Sequence, residues 1–307
     1  MRRIATVWPI LLVFVLGTLW GLHFSLIKIC SESGLSHFGI LTATSAGVAI
    51  AFVLVSALRR ERPRLTLKHA RFYCLCALFG YVGPILVELV VAKQMAAGIL
   101  TLIVSTAPIF TLIFASLFKT DAVGPAGVFG MILGIAAITA LLLPQFNNAN
   151  GGTESVALRW LPLTFLVPIA YGFYHNYVAK YWPADSNVWQ VATGEMTVAL
   201  LLIAPLFVFY AEPIIDDGGL QPVHWAILAL VVCAVIEVYL SFEIIRLSSA
   251  VTVSLSNFVT IAAGVLWGML FFGERPTWWD WVCVIVLMFA LHLVVKSRER
   301  KNSETAA

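Results

Sequence analysis

Long apolar stretches follow one another along almost the whole chain. Each is close to the ~20 residues that an α-helix needs to cross ~30 Å of hydrocarbon. They lack the alternating polar pattern of a membrane β-strand, so helices are predicted, in which every backbone group is paired within the segment. The 307 residues are 61% hydrophobic and 11% charged, against roughly 45–50% and about 25% in a soluble domain. Ten spans of an integral membrane protein fit, at 8–29, 38–58, 70–92, 96–117, 122–143, 159–180, 187–209, 223–245, 249–272 and 278–296.

The basic residues predict the orientation of these spans. The first apolar stretch follows Arg2-Arg3 as in a signal peptide, but it has the length of a full span and no small-residue cleavage site follows it. With the N-terminus in the cytoplasm, 15 of the 19 Lys and Arg residues fall on the cytoplasmic side, as the positive-inside rule requires. Ten spans place both termini inside, whereas nine would move the basic C-terminal tail outside. The acidic residues Glu154, Glu212, Asp216 and Asp217 then fall in outer loops.

One segment of the first half, 95–121, recurs in the second half as 249–274. Both copies are apolar, carry a small or polar patch half-way along and close with an acidic residue. Such a patch indicates either helix–helix packing through small residues or the lining of a binding site at the membrane midplane. The pairs Ala97/Ala250 and Asp121/Glu274 are both 153 residues apart, the patches lie at Ser105 and Asn257, and Trp20-Gly21 matches Tyr171-Gly172 at an offset of 151.

The repeat and the number of spans together predict the topology. Five spans lie on each side of a segment rich in Asn and Gly, which is expected to be a flexible link. Because five is an odd number, the second unit enters the membrane from the opposite face, the architecture that alternating access uses. The predicted fold is an all-α membrane protein with ten transmembrane helices in two inverted-topology five-helix repeats. These are 1–143 and 159–296, joined by a linker at 144–158 and followed by a cytoplasmic tail at 297–307.

Three carboxylates, Glu88, Glu195 and Glu237, lie inside apolar spans. An ionised side chain there costs roughly 2.5–3.5 kcal/mol on insertion scales. Glu88 and Glu237 are therefore either buried acids that are hydrogen-bonded to a neighbouring helix or carboxylates that bind substrate or carry a proton, and Glu88 is the main candidate for proton coupling. For Glu195 a structural capping role agrees with the sequence as well as a functional role does. Glu243 lies nearer a span end and is expected to pair with Arg246, three residues on.

Other polar and aromatic side chains are candidates for a cavity. His23 and His175 each lie within about one helical turn of the paired aromatic–Gly positions. A binding role and the role of a core histidine with its hydrogen bonds formed are therefore equally compatible with the sequence. Pro84 and Pro108 remove a backbone donor inside spans three and four, so they bend these helices and are candidate hinges. The motifs Gly17/Gly21, Gly130/Gly134 and Gly264/Gly268 are assigned to close helix packing.

Several other classes of protein are disfavoured. No His, Cys and Asp spacing is typical of a metal site, and the five cysteines form no CxxC motif. No HExxH, GxSxG or phosphate-binding loop is present, so neither an enzyme nor an ATPase is predicted, and no cofactor is expected. The basic residues lie at span ends, so the net charge of +3 does not indicate nucleic-acid binding. A channel would need a continuous polar stripe instead of an isolated central patch.

These features together resemble the EamA-type branch of the drug/metabolite transporter superfamily. The resemblance is carried by the five-plus-five inverted halves, by Trp20-Gly21, by Ala96-Ala97-Gly98 with Ala107-Pro108 and Asp121, and by Ser249-Ala250 with Gly273-Glu274-Arg275. It implies a secondary transporter that moves small amino-acid-like or drug-like metabolites, often outward, across the bacterial cytoplasmic (inner) membrane by alternating access.

The resemblance also implies a central cavity lined by spans one, three, four, six, eight and nine. The implied partners are a small-molecule substrate and the lipid bilayer, with protons as a possible coupling ion. Substrate, direction, coupling ion and oligomeric state stay open at this point. The alternative is a non-transporting membrane scaffold or lipid-handling protein, which would not need polar groups that converge at the midplane. By position, the implied substrate-binding residues are Trp20, His23, Tyr81, Glu88, Ser105, Tyr171, Tyr174, Glu237, Ser254 and Asn257.

Overall fold

The chain is described by a computed structural model over residues 2–94, 97–120, 124–147, 154–210, 221–273 and 275–305. These residues form α-helices joined by short connections, and a π-helical segment, Ala77–Val82, joins α3 to α4. The helices are α1 (Arg2–Glu32), α2 (His37–Arg59), α3 (Leu67–Cys76), α4 (Gly83–Ala92), α5 (Ala97–Val104), α6 (Ala107–Phe118), α7 (Pro125–Asn147), α8 (Glu154–Tyr181), α9 (Val188–Tyr210), α10 (Pro222–Leu247), α11 (Ala250–Ser254), α12 (Ser256–Phe272) and α13 (Trp278–Thr305).

The helices make up ten spans, as the sequence predicts. Three spans are interrupted: α3 continues into α4, α5 into α6, and α11 into α12. Six described stretches are by themselves long and apolar enough to cross a membrane, and shorter apolar helices lie at 107–118, 125–137 and 281–294. The prediction of an all-α, multi-pass membrane protein is therefore confirmed.

The packing of the helices repeats between the two halves. In one set of contacts α1 packs along α10 and α12, and in the other α8 packs along α4 and α6. Helix α2 packs against its counterpart α9, and α7 against its counterpart α13. An exchange of the two five-span units reproduces each of these pairings. Since each unit contains an odd number of spans, the two units cross the bilayer in opposite directions.

Two glycines let the halves approach closely at equivalent points. A Cβ on Gly21 would lie 2.9 Å from the backbone nitrogen of Gly264, and a Cβ on Gly172 would lie 2.8 Å from the backbone nitrogen of Thr111. Gly264 follows Thr111 by the same 153 residues that separate the repeated segments. The predicted packing role of Gly17/Gly21 is confirmed, because a Cβ on Gly17 would lie 2.5 Å from the backbone oxygen of Ser256. Backbone contact of this kind needs small residues.

A buried asparagine on α8 joins that helix to α6. The Asn176 amide nitrogen donates to the carbonyl oxygens of Thr111, at 2.8 Å, and Gly172, at 2.9 Å. Its amide oxygen accepts a hydrogen bond from the Thr120 hydroxyl. Thr111 and Thr120 belong to the first five-helix unit and Asn176 to the second. The Asn176 side chain therefore fixes how α6 and the residues that follow it pack on α8.

Replacement of Asn176 with leucine is expected to destabilise the folded protein by about 1–3 kcal/mol, because the half-buried Thr120 hydroxyl loses its acceptor and two further bonds disappear. Thermal unfolding of the purified protein in detergent would measure this. Thr139→Val is the control, since the exposed Thr139 hydroxyl bonds only to the Ile135 carbonyl of its own helix. Equal stability of the Asn176 variant and the control would contradict the assigned role.

Helical structure extends beyond several predicted boundaries. Residues 144–147 and 154–158 of the predicted linker belong to α7 and α8, and α13 continues through residues 297–305 of the predicted tail. Division of the chain into 1–143, 144–158, 159–296 and 297–307 remains a proposal. The sequence features at Met95, Ala96, Asp121, Glu212, Asp216, Asp217 and Glu274 lie outside the described residues.

Candidate functional site

A small cavity lies between the two five-helix units. Its lining comes from α1, α4 with the preceding π-helical segment, α5, α8, α10 and α12, the six spans that the family resemblance implies. The space open to the centres of water-sized molecules is about 50 Å³, which holds a few waters and no metabolite. The lining residues are Trp20, His23, Phe24, Gly80, Tyr81, Ile85, Glu88, Val104, Tyr171, Tyr174, His175, Glu237, Val238, Ser241 and Asn257.

A histidine lies between two carboxylates in this cavity. His23 Nε2 is 3.6 Å from Glu88 Oε2, and His23 Nδ1 is 3.2 Å from Glu237 Oε2. The Tyr171 hydroxyl donates to Glu88 Oε1 at 3.1 Å. The three ionisable side chains are almost fully buried, with relative exposures of 7% for His23, 0% for Glu88 and 6% for Glu237. They come from α1, α4 and α10, so the cluster spans both halves.

The cluster leaves polar atoms without a protein partner. Both ring nitrogens of His23 lie within ion-pairing distance of a carboxylate, but neither contact has hydrogen-bond geometry. Glu88 Oε2 and Glu237 Oε1 also have no hydrogen-bond partner within the described part of the chain. Buried polar groups are normally paired with protein, water or ligand. Unpaired atoms on three side chains around one cavity indicate a place where water or a ligand is bound.

The π-helical segment Ala77–Val82 sets the position of the α4 side chains. A π-helical turn contains more residues than an α-helical turn, so it rotates the following helix relative to the preceding one, and such turns are frequent at functional sites. Tyr81 lies in this segment and Glu88 lies two turns further on. Gly80 leaves room for the ring of Tyr174, since a Cβ there would be 2.4 Å from a ring carbon.

Aromatic rings form one wall of the cavity. Trp20, Tyr171 and His175 lie with their ring planes within 20° of parallel, and their ring centroids are 6.2 to 6.5 Å apart. Trp20 belongs to α1, whereas Tyr171 and His175 are four residues apart on α8. The faces of such rings carry partial negative charge and attract cations.

Eight of the ten predicted substrate-binding residues line the cavity: Trp20, His23, Tyr81, Glu88, Tyr171, Tyr174, Glu237 and Asn257. The structure does not bring Ser105 and Ser254 to this lining. Ser105 is buried between α5 and α6, and the Ser254 hydroxyl donates to the Val251 carbonyl within its own helix at 2.8 Å. The binding role of all ten remains a prediction.

The predicted hinge residues lie beside interruptions of their helices. Pro84 is in the first turn of α4, directly after the π-helical segment, and Pro108 is in the first turn of α6, directly after the break at Ser105–Thr106. Both positions suit a proline, because the first-turn N–H groups of a helix have no intrahelical partner. Their function as hinges remains a prediction.

Two polar lining residues were absent from the ten predicted substrate-binding residues: His175, which the sequence singled out only as a cavity candidate, and Ser241. Each lies four residues after a predicted residue on the same helix, His175 after Tyr171 and Ser241 after Glu237. Residues four apart share one helix face, and this spacing is the signal that would have found them.

Three other ionisable side chains, Glu195, Lys28 and Glu243, are not part of the cavity lining. Glu195 is buried behind Tyr174, whose hydroxyl donates to Glu195 Oε2 at 3.3 Å. Lys28 donates to the Ala92 carbonyl at 2.9 Å and pairs with Glu32 at 2.7 Å. The expected pair of Glu243 with Arg246 is confirmed at 3.8 Å.

Within the described residues no group of three or more His, Cys, Asp and Glu side chains could hold a metal ion.

Ten membrane spans in two inverted halves, with a cavity between the halves that holds ionisable and aromatic side chains, are typical of membrane transporters. Residues 7–143 and 158–296 match the model of the EamA-like transporter family, and the chain belongs to this family. Membership implies membrane transport. The fold is similar to that of a protein solved by crystallography, with a TM-score of 0.72 and 16% sequence identity. The match covers 94% of this chain and 97% of the other chain. None of the curated proteins matches the sequence.

Proposed function

We propose that the protein is a secondary transporter of small amine-bearing metabolites, which it exports across the bacterial cytoplasmic membrane in exchange for protons. The observation that carries the proposal is the histidine between two buried carboxylates in a small cavity between the halves. A scaffold or lipid-handling protein would have no need to gather these groups away from lipid.

The charges of the lining favour a cationic group on the substrate. Glu88 and Glu237 are acidic, and neither lysine nor arginine is among the lining residues. A substrate ammonium would meet carboxylate oxygens that have no hydrogen-bond partner among the described residues, and the Trp20 and Tyr171 rings of the same lining would supply a cation–π contact. A substrate carboxylate would meet no full positive charge except that of a protonated His23.

The same charges suggest exchange for a proton. With both carboxylates ionised and His23 protonated, the cluster carries one net negative charge, and a buried uncompensated charge is strongly unfavourable. Either a proton on one carboxylate or a cationic substrate restores neutrality. Both species therefore compete for one position, which is the condition for exchange.

Alternating access supplies the route in this proposal. The cavity is too small for a metabolite, so substrate entry requires the two halves to move apart at one face. The interrupted spans α3–α4, α5–α6 and α11–α12 all border the cavity region, and Pro84 and Pro108 are proposed hinges within them. The proposed orientation has both termini in the cytoplasm.

Transport by purified protein in liposomes tests this function. Tyramine, tyrosine and 4-hydroxyphenylpropionate share one ring and carry an ammonium, both charged groups or a carboxylate. We expect a pH gradient to drive tyramine fastest, tyrosine more slowly and the acid at the rate of protein-free liposomes. Faster transport of tyrosine or the acid would contradict the amine preference but support transport. No movement of these compounds or of a wider amine panel above protein-free liposomes would contradict transport of amines.

A further inference from the structure

A second cavity lies apart from the central one, where α3 begins and α6 and α8 end. It is an open groove of about 900 Å³. Helices α3 and α6 belong to the first five-helix unit and α8 to the second, so a molecule in this groove would touch both units. We name it the basic groove, after Lys68, Arg71 and Lys180, which line it together with aromatic side chains.

The three basic residues of the basic groove are not neutralised by neighbours. Within the described part of the chain no carboxylate oxygen lies within 4 Å of their nitrogens, although other basic residues nearby are paired. Asp185, the nearest acidic residue in sequence to Lys180, pairs with Arg64 at 2.9 Å and with His69 at 3.2 Å. All three groove cations are exposed at the ends of their helices.

The pKa of Asp185 supports this assignment of partners. Desolvation raises the pKa of its carboxyl group, but its own backbone N–H, the Arg64 guanidinium and His69 lower it further, and the net shift is downward. The carboxylate stays ionised and directed to Arg64 and His69, so it does not compensate the groove cations.

Aromatic rings form the inner part of the basic groove. The Phe72 and Tyr177 rings are stacked at 5.6 Å, and Phe173 continues the stack on Tyr177 at 5.7 Å. Phe173 and Tyr177 are four residues apart on one face of α8, and Lys180 lies beyond them at the helix end. Lys180 Nζ is 5.3 Å from the centroid of Phe118. The groove is therefore apolar inside and positive at its mouth.

We propose that the basic groove binds an anionic phospholipid from the surrounding bilayer. Its phosphate would lie among Lys68, Arg71 and Lys180, and its glycerol and acyl carbons against Phe72, Phe173 and Tyr177. A phospholipid joins a charged headgroup to hydrocarbon chains, and the groove likewise has basic residues at its mouth and aromatic rings inside. Basic pockets between membrane helices bind anionic headgroups. In the proposed orientation the groove opens at the cytoplasmic side. The bound lipid contacts both five-helix units, and it stabilises the arrangement in which they meet at this end. The site is independent of the transported substrate.

Native mass spectrometry of the full-length protein tests the site. The protein is released from micelles supplemented with phosphatidylglycerol or phosphatidylcholine of identical acyl chains. We expect the wild type to retain one phosphatidylglycerol molecule under conditions that remove phosphatidylcholine, and to unfold at a higher temperature with the former. The triple variant Lys68→Gln, Arg71→Gln, Lys180→Gln is expected to lose this selective retention. The control, Arg60→Gln, Arg62→Gln, Lys296→Gln, removes the same charge outside the groove and is expected to retain the lipid.

Three results would overturn the proposal. The first is equal retention of both lipids by the wild type. The second is unchanged selective retention by a folded groove variant, with folding judged by thermal unfolding and size exclusion. The third is an equal rise in the unfolding temperature of the wild type with glycerol phosphate and with phosphatidylglycerol at the same concentration. A headgroup alone would then suffice, and the aromatic rings of the basic groove would not contribute to binding.

Discussion

Replacement of Glu88 with glutamine is expected to abolish transport driven by a pH gradient while the protein stays folded. Glutamine keeps the size of the side chain, and its amide can still accept the hydrogen bond from Tyr171. It does not ionise, so the cluster with His23 and Glu237 loses one negative charge. A hydrogen bond to a charged group contributes about 1.5–3 kcal/mol, so the affinity for an ammonium substrate is expected to fall roughly 10- to 150-fold.

Two measurements on the Glu88 variant separate its effects. Proteoliposome uptake with and without a pH gradient reports coupling, and substrate binding at fixed pH reports affinity. Glu243→Gln is the control, because Glu243 pairs with Arg246 near the end of α10 and does not line the cavity. A folded Glu88 variant that keeps both the uptake rate and its pH dependence would remove Glu88 from the proposed mechanism.

Valine in place of Gly21 or Gly172 is expected to destabilise the protein strongly and by similar amounts. At Gly21 a Cβ would lie 2.9 Å from the backbone nitrogen of Gly264, and at Gly172 it would lie 2.8 Å from that of Thr111. A backbone contact this short cannot be relieved by rotation of a side chain, so the helices must separate. Overpacking of a tight interface costs about 1–3 kcal/mol or more, and both interfaces join the two five-helix units.

The neighbouring Gly264 provides a matched control for this prediction. A Cβ on Gly264 would lie 3.6 Å from Thr101 Cγ2, which is ordinary van der Waals contact, and alanine favours a helix over glycine by up to about 1 kcal/mol. Gly264→Ala is therefore expected to keep or raise the unfolding temperature in detergent. Gly21 and Gly172 variants that are as stable as Gly264→Ala would contradict the close approach of the halves, and a large difference between them would contradict its symmetry.

Much of the fold could be predicted because it follows from the bilayer. Hydrocarbon thickness sets the length of a span, and unpaired backbone groups are excluded, so apolar length alone identifies helices. The matching of Gly21 with Gly172 in the sequence repeat corresponds to equivalent backbone contacts in the structure. The bends at Pro84 and Pro108 were also visible, because proline removes a backbone donor.

Other breaks had no local signal. The position equivalent to Pro108 in the second half is Ile261, yet the span is interrupted between α11 and α12 at Leu255. The break in span three is marked by Pro84, but nothing in the sequence of Ala77–Val82 shows that it takes a π-helical form. Such features depend on packing against neighbouring helices and not on the propensity of their own residues.

The sequence by itself determined the membrane class, the ten spans, their inverted pairing and a set of polar residues too costly to lie in lipid without a reason. Only the tertiary structure decided which of these meet, placing His23 between Glu88 and Glu237 and leaving Ser105 and Ser254 outside the cavity lining. Spacing along a helix tells which residues share a face. The direction of that face depends on how helices distant in sequence rotate against one another, and this rotation is set by the whole packed bundle.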